Sequence, residues 1–379
     1  MTIYLDHAAT TPVHPEVSAR YVELLGTLFG NPSSIHSYGR EARKWLDDSR
    51  KTMALSINAD PNEIIFTSGG TEADNAAIFG TAYAMKNKGN HIITTNIEHP
   101  AVLNACKQLE LEGFEVTYLE VDDNGLITSE QVRTALRDTT ILVSIMYGNN
   151  EVGTIQPIQL IGDVLKDHNA VFHTDAVQAY GHVPLDVRNL GVDLLSVSAH
   201  KLNGPKGVGF LYQRKGIDTK VLQVGGQQER KRRAGTENVP AIVAFSDAVK
   251  LMQVSIEDNR MKYKDFGDIL KNVWDLKGIN YEVNASDVEK LPHVLNISFP
   301  GTDIESLLVN LDMAGICVSS GSACSAGSLD PSHVLLAMYG SNAPQLRNSV
   351  RFSFGLGLNP QLIEEAGIKT AEIINRLVK

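Results

Sequence analysis

The stretch SVSAHKLNGPKGVG at positions 196–209 is the most informative part of the sequence. It follows a largely apolar segment, Val192–Leu195. This pattern predicts a strand that ends in a turn rich in glycine, hydroxyl and basic groups. Lys201 stands just after the predicted strand, and an acid, Asp175, stands 26 positions earlier, after another apolar segment. The two residues are therefore predicted to lie at the ends of two strands.

A lysine and an acid in these positions, with hydroxyl groups and glycines nearby, predict a site for pyridoxal 5'-phosphate (PLP). We expect Lys201 to hold the cofactor through a Schiff base and Asp175 to pair with its pyridinium nitrogen. A buried acid needs such a cationic partner, although a helix N-cap at Asp175 is the alternative. Ser198 and His200 are expected to hold phosphate oxygens. Lys206 is a rival lysine, but its Gly-Pro-Lys-Gly turn favours a structural role.

Upstream of this stretch, strand-like and helix-like segments alternate between about residues 63 and 212. The alternation predicts an α/β fold, with a mostly parallel central sheet and helices on both faces. Ligands of such sheets bind beyond the carboxyl ends of the strands. A helical stretch near Pro240–Trp274, followed by short strands and helices, predicts a smaller α+β domain. We expect a large domain over residues 13–258 and a small one formed by residues 1–12 and 259–379.

Three further polar turns follow predicted strands. Gly70 and Thr71, in GGTE at 69–72, offer backbone N–H groups to a phosphate, although a plain capped turn would look the same. His99 could stack on the cofactor ring and move protons; the alternative is a structural histidine. Asn150 could hydrogen-bond the cofactor oxygen or the substrate; the alternative is an Asn-rich turn.

Cys324 lies in VSSGSACSAGS at positions 318–328. Small residues on both sides cannot build a core, so we expect an exposed, mobile loop. A thiol there suits a nucleophile that attacks a substrate and then carries the transferred group away from the site. Cys317, between Ile316 and Val318, is instead typical of an inert buried cysteine. Arg351, in a strand-like run, could clamp an amino-acid α-carboxylate; a structural salt bridge is the alternative.

Composition limits the function classes. Hydrophobic content of 43% and charged content of 21% are those of a soluble globular protein, and the net charge of −10 argues against binding to nucleic acid or anionic membranes. The N-terminus lacks signal-peptide features, and no apolar run is expected to span a bilayer, so we expect a cytoplasmic protein. The basic run Arg230–Arg233 is interpreted either as a solvated loop or as a docking surface for an acidic partner or RNA-bound machinery. Three cysteines without a Cys-x-x-Cys pair argue against disulfides or a four-cysteine zinc site.

Together these residues resemble the cysteine desulfurases, the NifS/IscS-like branch of the class V aminotransferase group. The likeness runs nearly end to end, from YLDHAATTP at 4–12 to VRFS at 350–353. Its most specific parts are the SAHK box at 198–201 and the SGSAC loop at 320–324, which is similar to that of the long-loop, group I desulfurases. The resemblance implies a PLP-dependent transferase of fold type I, and a homodimer with its active sites near the interface.

The resemblance also implies a role for each matching residue. Lys201 would hold PLP, Asp175 would pair with the ring nitrogen, and His99 would stack on the ring and take part in catalysis. Arg351 and Asn150 would bind the substrate carboxylate. The remaining cofactor contacts implied are Gln178 and Asn150 at the ring oxygen; Gly70, Thr71, Ser198 and His200 at the phosphate; and Thr236 at the phosphate of the neighbouring subunit's cofactor.

The implied reaction converts L-cysteine to L-alanine, and leaves the sulfur as a persulfide on Cys324 for delivery to an acceptor protein. No resident metal is implied, although the persulfide could transiently ligate an iron–sulfur cluster. Two features depart from the family: Leu202-Asn203 follows the lysine, and the chain ends soon after Ile373–Leu377, without the longer tail of housekeeping members. The acceptor is therefore left open between an iron–sulfur scaffold and a tRNA thiolation enzyme. Rival interpretations are a PLP aminotransferase or β-lyase, a selenocysteine lyase, and a sulfur carrier without PLP.

Overall fold

A computed structural model of the protein describes residues 2–320 and 331–378, so the predicted nucleophile Cys324 lies outside the described residues. The strands are β1 (Ile3–Tyr4), β2 (Ile64–Thr67), β3 (His91–Thr95), β4 (Glu115–Leu119), β5 (Thr140–Ser144), β6 (Val171–Asp175), β7 (Leu194–Ser198), β8 (Gly209–Gln213), β9 (Glu282–Val283), β10 (Val294–Ser298), β11 (Ile316–Cys317) and β12 (Ser349–Ser353). The helices are α1 (Pro15–Thr27), α2 (Ser37–Ser56), α3 (Gly70–Met85), α4 (Pro100–Leu111), α5 (Ser129–Ala135), α6 (Ile158–Leu165), α7 (Val187–Leu190), α8 (Gln228–Lys231), α9 (Val239–Leu276), α10 (Ile304–Met313), α11 (His333–Tyr339), α12 (Gln345–Asn348) and α13 (Pro360–Leu377).

The main sheet has the strand order β2-β8-β7-β6-β5-β3-β4. Strands β3 to β7 pair in parallel with one another, and β8 runs antiparallel to both β2 and β7. Every residue of β5, β6 and β7 is buried, as expected for a sheet covered by helices on both faces. The prediction of a mostly parallel α/β sheet is confirmed.

Strands β6 and β7 bring the predicted cofactor residues together. They are adjacent and parallel, and Asp175 pairs in register with Ser196. Because the carboxyl ends of parallel strands meet at one edge of the sheet, Asp175 and Ser198 lie at the same edge. A single 3-10 turn, Ala199–Lys201, continues directly from β7 and carries Lys201 to that edge.

A second, smaller set of strands lies in the C-terminal part of the chain. Strands β12, β10 and β9 form an antiparallel sheet, and β1 pairs in parallel with β11. A separate apolar core joins Ile3 and Leu5 to residues between 263 and 374. Helix α9 runs without interruption past residue 258, so the domain boundary placed there stays a prediction.

Helix α9 corrects one expectation from the sequence. It contains an 18-residue window of mean hydropathy 1.4, and by length and composition it could cross a bilayer. Half of that window is buried inside the protein. Phe245 belongs to the main core and Trp274 to the second core. The apolar character of α9 is consistent with its packing against two cores, because a buried core helix and a membrane-spanning helix are both rich in apolar residues.

The basic run 230–233 is held in an unusual backbone conformation. Glu229, Arg230 and Lys231 have φ angles of 45°, 56° and 68°, and each non-glycine residue in this left-handed region costs about 1–2 kcal/mol. The buried Glu229 carboxylate holds the turn, since it accepts hydrogen bonds from Arg50 Nη2 at 2.6 Å and from the backbone N–H of Phe66 at 3.0 Å.

Two of the four basic side chains are used inside the protein. Arg232 donates to the carbonyl of Asn62 at 2.8 Å, and Arg233 pairs with Glu72 at 2.8 Å. The run is therefore not a wholly solvated loop.

Replacing Lys231 with glycine is expected to stabilise the protein by up to about 1 kcal/mol. Glycine adopts positive φ without the Cβ penalty, and this gain exceeds its larger loss of backbone entropy. Chemical unfolding of the two proteins checks the prediction. Lys264→Gly, in the interior of α9, is the matched control and should destabilise by about 1 kcal/mol. A Lys231→Gly protein as destabilised as this control would contradict the strained-turn interpretation.

Candidate active site

A cavity of about 230 Å³ lies at the carboxyl ends of β6 and β7. Larger cavities, one of them about 730 Å³, lie elsewhere, but this one gathers nine of the residues predicted from the sequence. Its lining consists of Ala9, Gly70, Thr71, Asp74, His99, Met146, Gly148, Asn150, Asp175, Val177, Gln178, Ser198, His200 and Lys201.

One side of the cavity has the form of a phosphate cradle. Gly69 caps α3 with a φ of +153°, and Gly70 begins the helix. A Cβ on Gly70 would stand 2.7 Å from Val177 Cγ2, so only glycine fits there without displacing its neighbour. The free N–H groups and dipole of a helix N-terminus attract an anion, and Ser198 and His200 line the same cavity. This donor set fits a phosphate.

Asp175 supplies a buried carboxyl on the cavity wall. It is 7% exposed, and its Oδ1 accepts one hydrogen bond, from the Val177 N–H at 2.8 Å. Burial raises its pKa, while the nearby His99 and Lys201 lower it. The backbone contact is that of a local turn, and in the described part of the chain no helix begins directly after Asp175, so the alternative of a helix N-cap is not what the structure shows. A carboxyl in this position fits a cationic ring nitrogen, because such a partner would stabilise its charged form.

Lys201 reaches the N-terminal segment of the chain. Its Nζ donates to the carbonyl oxygen of Ala9 at 2.8 Å, and also to that of Ala8. Gln178 Nε2 donates to the same Ala8 oxygen at 2.9 Å, and the His200 ring contacts the Thr10 hydroxyl at 3.1 Å. The segment of residues 8–10 therefore forms a wall of the site. These residues belong to the YLDHAATTP motif, which supported the family resemblance but was not predicted to lie at the site.

His99 caps a helix and also lines the cavity, so its structural role is observed and its role at the cofactor stays a prediction. The helix is α4, where His99 Nδ1 accepts the backbone N–H of Ala101 at 3.1 Å. Because Nδ1 is an acceptor, the proton of the neutral ring is on Nε2. Burial is the main cause that lowers the pKa of His99. The ring is thus a neutral donor through Nε2.

Arg351 lies next to the cavity and does not line it. The residue is 2% exposed. Its Nη2 pairs with Asp6 Oδ1 at 2.8 Å, and its Nη1 donates to the carbonyl of Asn150 at 2.8 Å. Its Nε is buried and has no hydrogen-bond partner among residues 2–320 and 331–378. The salt bridge that was the structural alternative is present, and the carboxylate clamp stays a prediction.

The sequence model of the family described as Aminotransferase class-V matches residues 3–364. The putative cysteine desulfurase IscS 1 of Bacillus subtilis (strain 168) is 56% identical over 375 residues, which is 99% of each chain. The cysteine desulfurase IscS of Methanosarcina thermophila is 46% identical over 99% of this chain and 92% of that protein. A solved structure described as a NifS-like protein superimposes with a TM-score of 0.92 at 34% identity and full coverage of both chains. Another, described as SspA in complex with cysteine, has a TM-score of 0.82 at 35% identity, over 93% of this chain and 99% of that one.

The chain belongs to the class-V aminotransferase family, among the cysteine desulfurases. In this desulfurase, Thr236 lies away from the cavity. It is exposed and is not part of the lining, so its contact with a neighbouring subunit's cofactor stays a prediction. Cys317, which was expected to be buried, is half-buried, because neighbouring side chains of a strand point to opposite faces and Ile316 is the one that belongs to the second core.

Two buried acids of the desulfurase were missed from the sequence. Asp74 lines the cavity and is 1% exposed; burial and the neighbouring Asp175 raise its pKa. Glu98 precedes His99 and is fully buried; burial raises its pKa to about 8. Glu98 Oε1 accepts from the hydroxyl of Thr95 at 2.7 Å and from the N–H of Met146 at 3.0 Å. Asp74 lies within α3, and Glu98 stands beside His99 after a predicted strand, but no local sequence pattern shows that either carboxyl is buried.

The raised pKa of Glu98 predicts a pH-dependent contribution to stability. A folded-state pKa of about 8, against about 4.3 in an unfolded chain, means that the contribution is fully present below pH 4.3 and is lost as the pH rises through 8. The neutral isostere Glu98→Gln removes this dependence. As the pH rises from 5 to 9, the free energy of unfolding of the variant should therefore increase by a few kcal/mol relative to that of the wild-type protein.

Chemical unfolding of both proteins at several pH values measures this difference. Glu364→Gln, at an exposed position, controls for the loss of one surface carboxylate. A stability difference between Glu98→Gln and wild type that stays constant from pH 5 to pH 9 would show that Glu98 is charged in the folded protein.

Proposed function

We propose that this chain is a PLP-dependent cysteine desulfurase, which converts L-cysteine to L-alanine and leaves the sulfur as a persulfide on Cys324. The observation that carries the proposal is the convergence of Lys201, the buried Asp175 and a phosphate cradle on one cavity. Family membership supports the activity, and the relative described in complex with cysteine supports the substrate.

The residues present fit PLP at each of its polar groups. Asp175 would hold the proton on the ring nitrogen, and Lys201 would carry the cofactor covalently. Gln178 and Asn150 would face the ring oxygen. The phosphate would be held by the start of α3, at Gly70 and Thr71, together with Ser198 and His200. When bound, PLP supplies an electron sink for the bonds that break at the substrate.

Within that site, we assign the removal of the substrate proton to Lys201. A neutral His99 has its proton on Nε2 and its Nδ1 occupied by the Ala101 N–H, so it can donate a hydrogen bond through Nε2 but has no free lone pair that could accept a proton. Lys201 is therefore the base that removes the proton from the substrate Cα, and His99 Nε2 is a hydrogen-bond donor to the bound groups. Arg351 and Asn150 hold the substrate carboxylate.

The sulfur transfer needs no external oxidant or reductant. The Cys324 thiolate attacks the substrate sulfur, the bond between that sulfur and Cβ breaks, and a sulfur–sulfur bond forms. The Cβ carbon keeps the electron pair and gains a proton, which gives alanine. Splitting the C–S cleavage from the delivery of sulfur is the advantage of a covalent nucleophile.

We further propose a cytoplasmic homodimer that delivers sulfur to an acceptor protein. Val22 and Leu25 on α1 are 68% and 57% exposed, and Phe29 and Ile35, which follow this helix in the chain, are 69% and 91% exposed. An exposed apolar patch of this kind suits an interface, and a second copy would bring Thr236 to a neighbouring phosphate. The acceptor is either an iron–sulfur scaffold or a tRNA thiolation enzyme.

Cys324→Ser should abolish persulfide formation and retain the visible absorbance of the bound cofactor, because the thiol attacks sulfur and does not hold PLP. The measurement is alanine and sulfide from L-cysteine in one assay, with mass spectrometry of the protein. Cys317→Ala is the matched control and should retain both products. Sulfide release at the wild-type rate by Cys324→Ser would refute the proposed nucleophile, and pyruvate in place of alanine would make the protein a lyase.

Borohydride reduction of the PLP-loaded protein should fix the cofactor on Lys201, since reduction of a Schiff base makes it permanent. Peptide mapping by mass spectrometry locates the modified lysine. Lys201→Ala should show no fixed cofactor, whereas Lys206→Ala should remain labelled at Lys201. Label found at Lys206 in the wild-type protein would overturn the assignment.

A further inference from the structure

The N-terminal segment of residues 6–10 contacts both the lysine and the arginine of the proposed site. The carbonyls of Ala8 and Ala9 accept hydrogen bonds from Lys201 Nζ. Two residues earlier, Asp6 pairs with Arg351 at 2.8 Å. These two basic groups belong to opposite ends of the proposed chemistry, one at the cofactor and one at the substrate carboxylate. A single short segment therefore fixes the position of both.

The backbone around Asp6 is itself held firmly. The Leu5 side chain is fully buried, and its carbonyl accepts the N–H of Ser353 at 2.7 Å. On the other side of Asp6, the N–H of Ala8 donates to the hydroxyl of Ser353 at 2.9 Å. Strand β1 pairs with β11 just before these contacts. The segment that carries Asp6 is thus anchored on both sides to Ser353, which lies two residues after Arg351 on strand β12.

Arg351 is a buried cation with unused hydrogen-bonding capacity. Among the described residues, Asp6 is the carboxylate in ion-pair contact with it. The bonds from Nη2 to Asp6 and from Nη1 to Asn150 fix the plane of the guanidinium. Its Nε–H stays buried without a partner in residues 2–320 and 331–378. An unsatisfied buried donor is costly, and a carboxylate that accepts from it would remove that cost.

We propose that Asp6 is a positioning residue that aims Arg351 at the α-carboxylate of the amino-acid substrate. The inference rests on the proposed function, because it takes Arg351 as the carboxylate ligand. The hydrogen bonds at both Nη atoms hold the planar guanidinium of Arg351 in one orientation, and so fix the direction of its Nε–H. Asp6 supplies one of these two anchors and the counter-charge that lets Arg351 stay buried. Specificity for an amino acid with a free carboxylate then depends on a residue that does not contact the substrate.

The experiment measures ligand preference rather than turnover. L-Alanine, the proposed product, and L-alaninamide, which lacks the negative charge, are titrated into the PLP-loaded protein by calorimetry. Loss of an aimed, charge-assisted hydrogen bond should lower the preference of Asp6→Ala for alanine over alaninamide by about tenfold or more. Asp6→Asn keeps an oxygen that can accept from Nη2, so it should lose less of the preference than Asp6→Ala.

Asn359→Ala separates this effect from general destabilisation. Asn359 caps α13, where its Oδ1 accepts the Leu362 N–H at 2.9 Å, and its loss costs about 1 kcal/mol. The control should lower the midpoint of thermal unfolding and leave the ligand preference unchanged. Thermal unfolding of each variant without PLP shows how far the substitution itself destabilises the fold, independently of cofactor binding.

The outcomes distinguish this inference from the proposed function. A preference that stays within about threefold of wild type in Asp6→Ala, or an equal loss of both ligands, would make the ion pair purely structural and overturn the inference. If the wild-type protein itself forms no alanine from L-cysteine, the proposed function fails instead. A loss confined to L-alanine in an otherwise active protein supports the positioning role.

Discussion

The parallel pairing of β6 with β7 is the constraint on which the site depends. It sets Asp175 beside Ser196 in register, so the acid and the turn that carries Lys201 leave the sheet at the same edge. A shift of one residue in either strand would turn the inward-facing side chains to the other face. Both strands are buried throughout, so such a shift would also bury polar side chains against apolar helices. The hydrophobic core therefore enforces the geometry of the polar site.

The N-terminal segment, residues 6–10, forms the part of the site that the main sheet does not provide. The carbonyl groups of residues 8 and 9 accept hydrogen bonds from the Lys201 ammonium, and the Asp6 carboxylate forms an ion pair with the guanidinium of Arg351. Buried cations require such acceptors, since an unpaired charge in a low-dielectric interior is strongly unfavourable. The ends of the chain and its middle are thereby joined by electrostatics as well as by the second apolar core, which includes Ile3 and Leu5.

Burial sets the protonation states around the cavity. It raises the pKa of Asp74, Glu98 and Asp175, and lowers that of His99. The neighbouring His99 and Lys201 act to lower the pKa of Asp175, whereas burial and nearby carboxylates raise that of Asp74. Of the two cavity-lining aspartates, Asp175 is thus the one that these neighbours favour as an anion, as a partner for a cationic ring requires.

Much of the fold was predictable because strands and helices of an α/β sheet have distinct hydrophobic periods. A helical stretch was predicted near Pro240–Trp274, and α9 spans Val239–Leu276; Asp175, which was predicted to stand at the end of a strand, is the last residue of β6. Helix α2, Ser37–Ser56, was not predicted, although Leu46 and Met53 lie on its buried side. The many charged residues of this helix obscure the periodic spacing of its few apolar residues, so the sequence alone did not indicate a helix there.

The sequence by itself determined the α/β class, the family and the identity of the chemical groups, because these depend on local patterns and on motifs a few residues long. The tertiary structure alone decided how distant segments meet. It made residues 8–10 a wall of the site, paired Asp6 with Arg351 across 345 positions of sequence, and fixed the proton of neutral His99 on Nε2 through a helix cap. Contacts between segments far apart in the chain, and the burial that shifts pKa values, leave no local pattern from which they can be inferred.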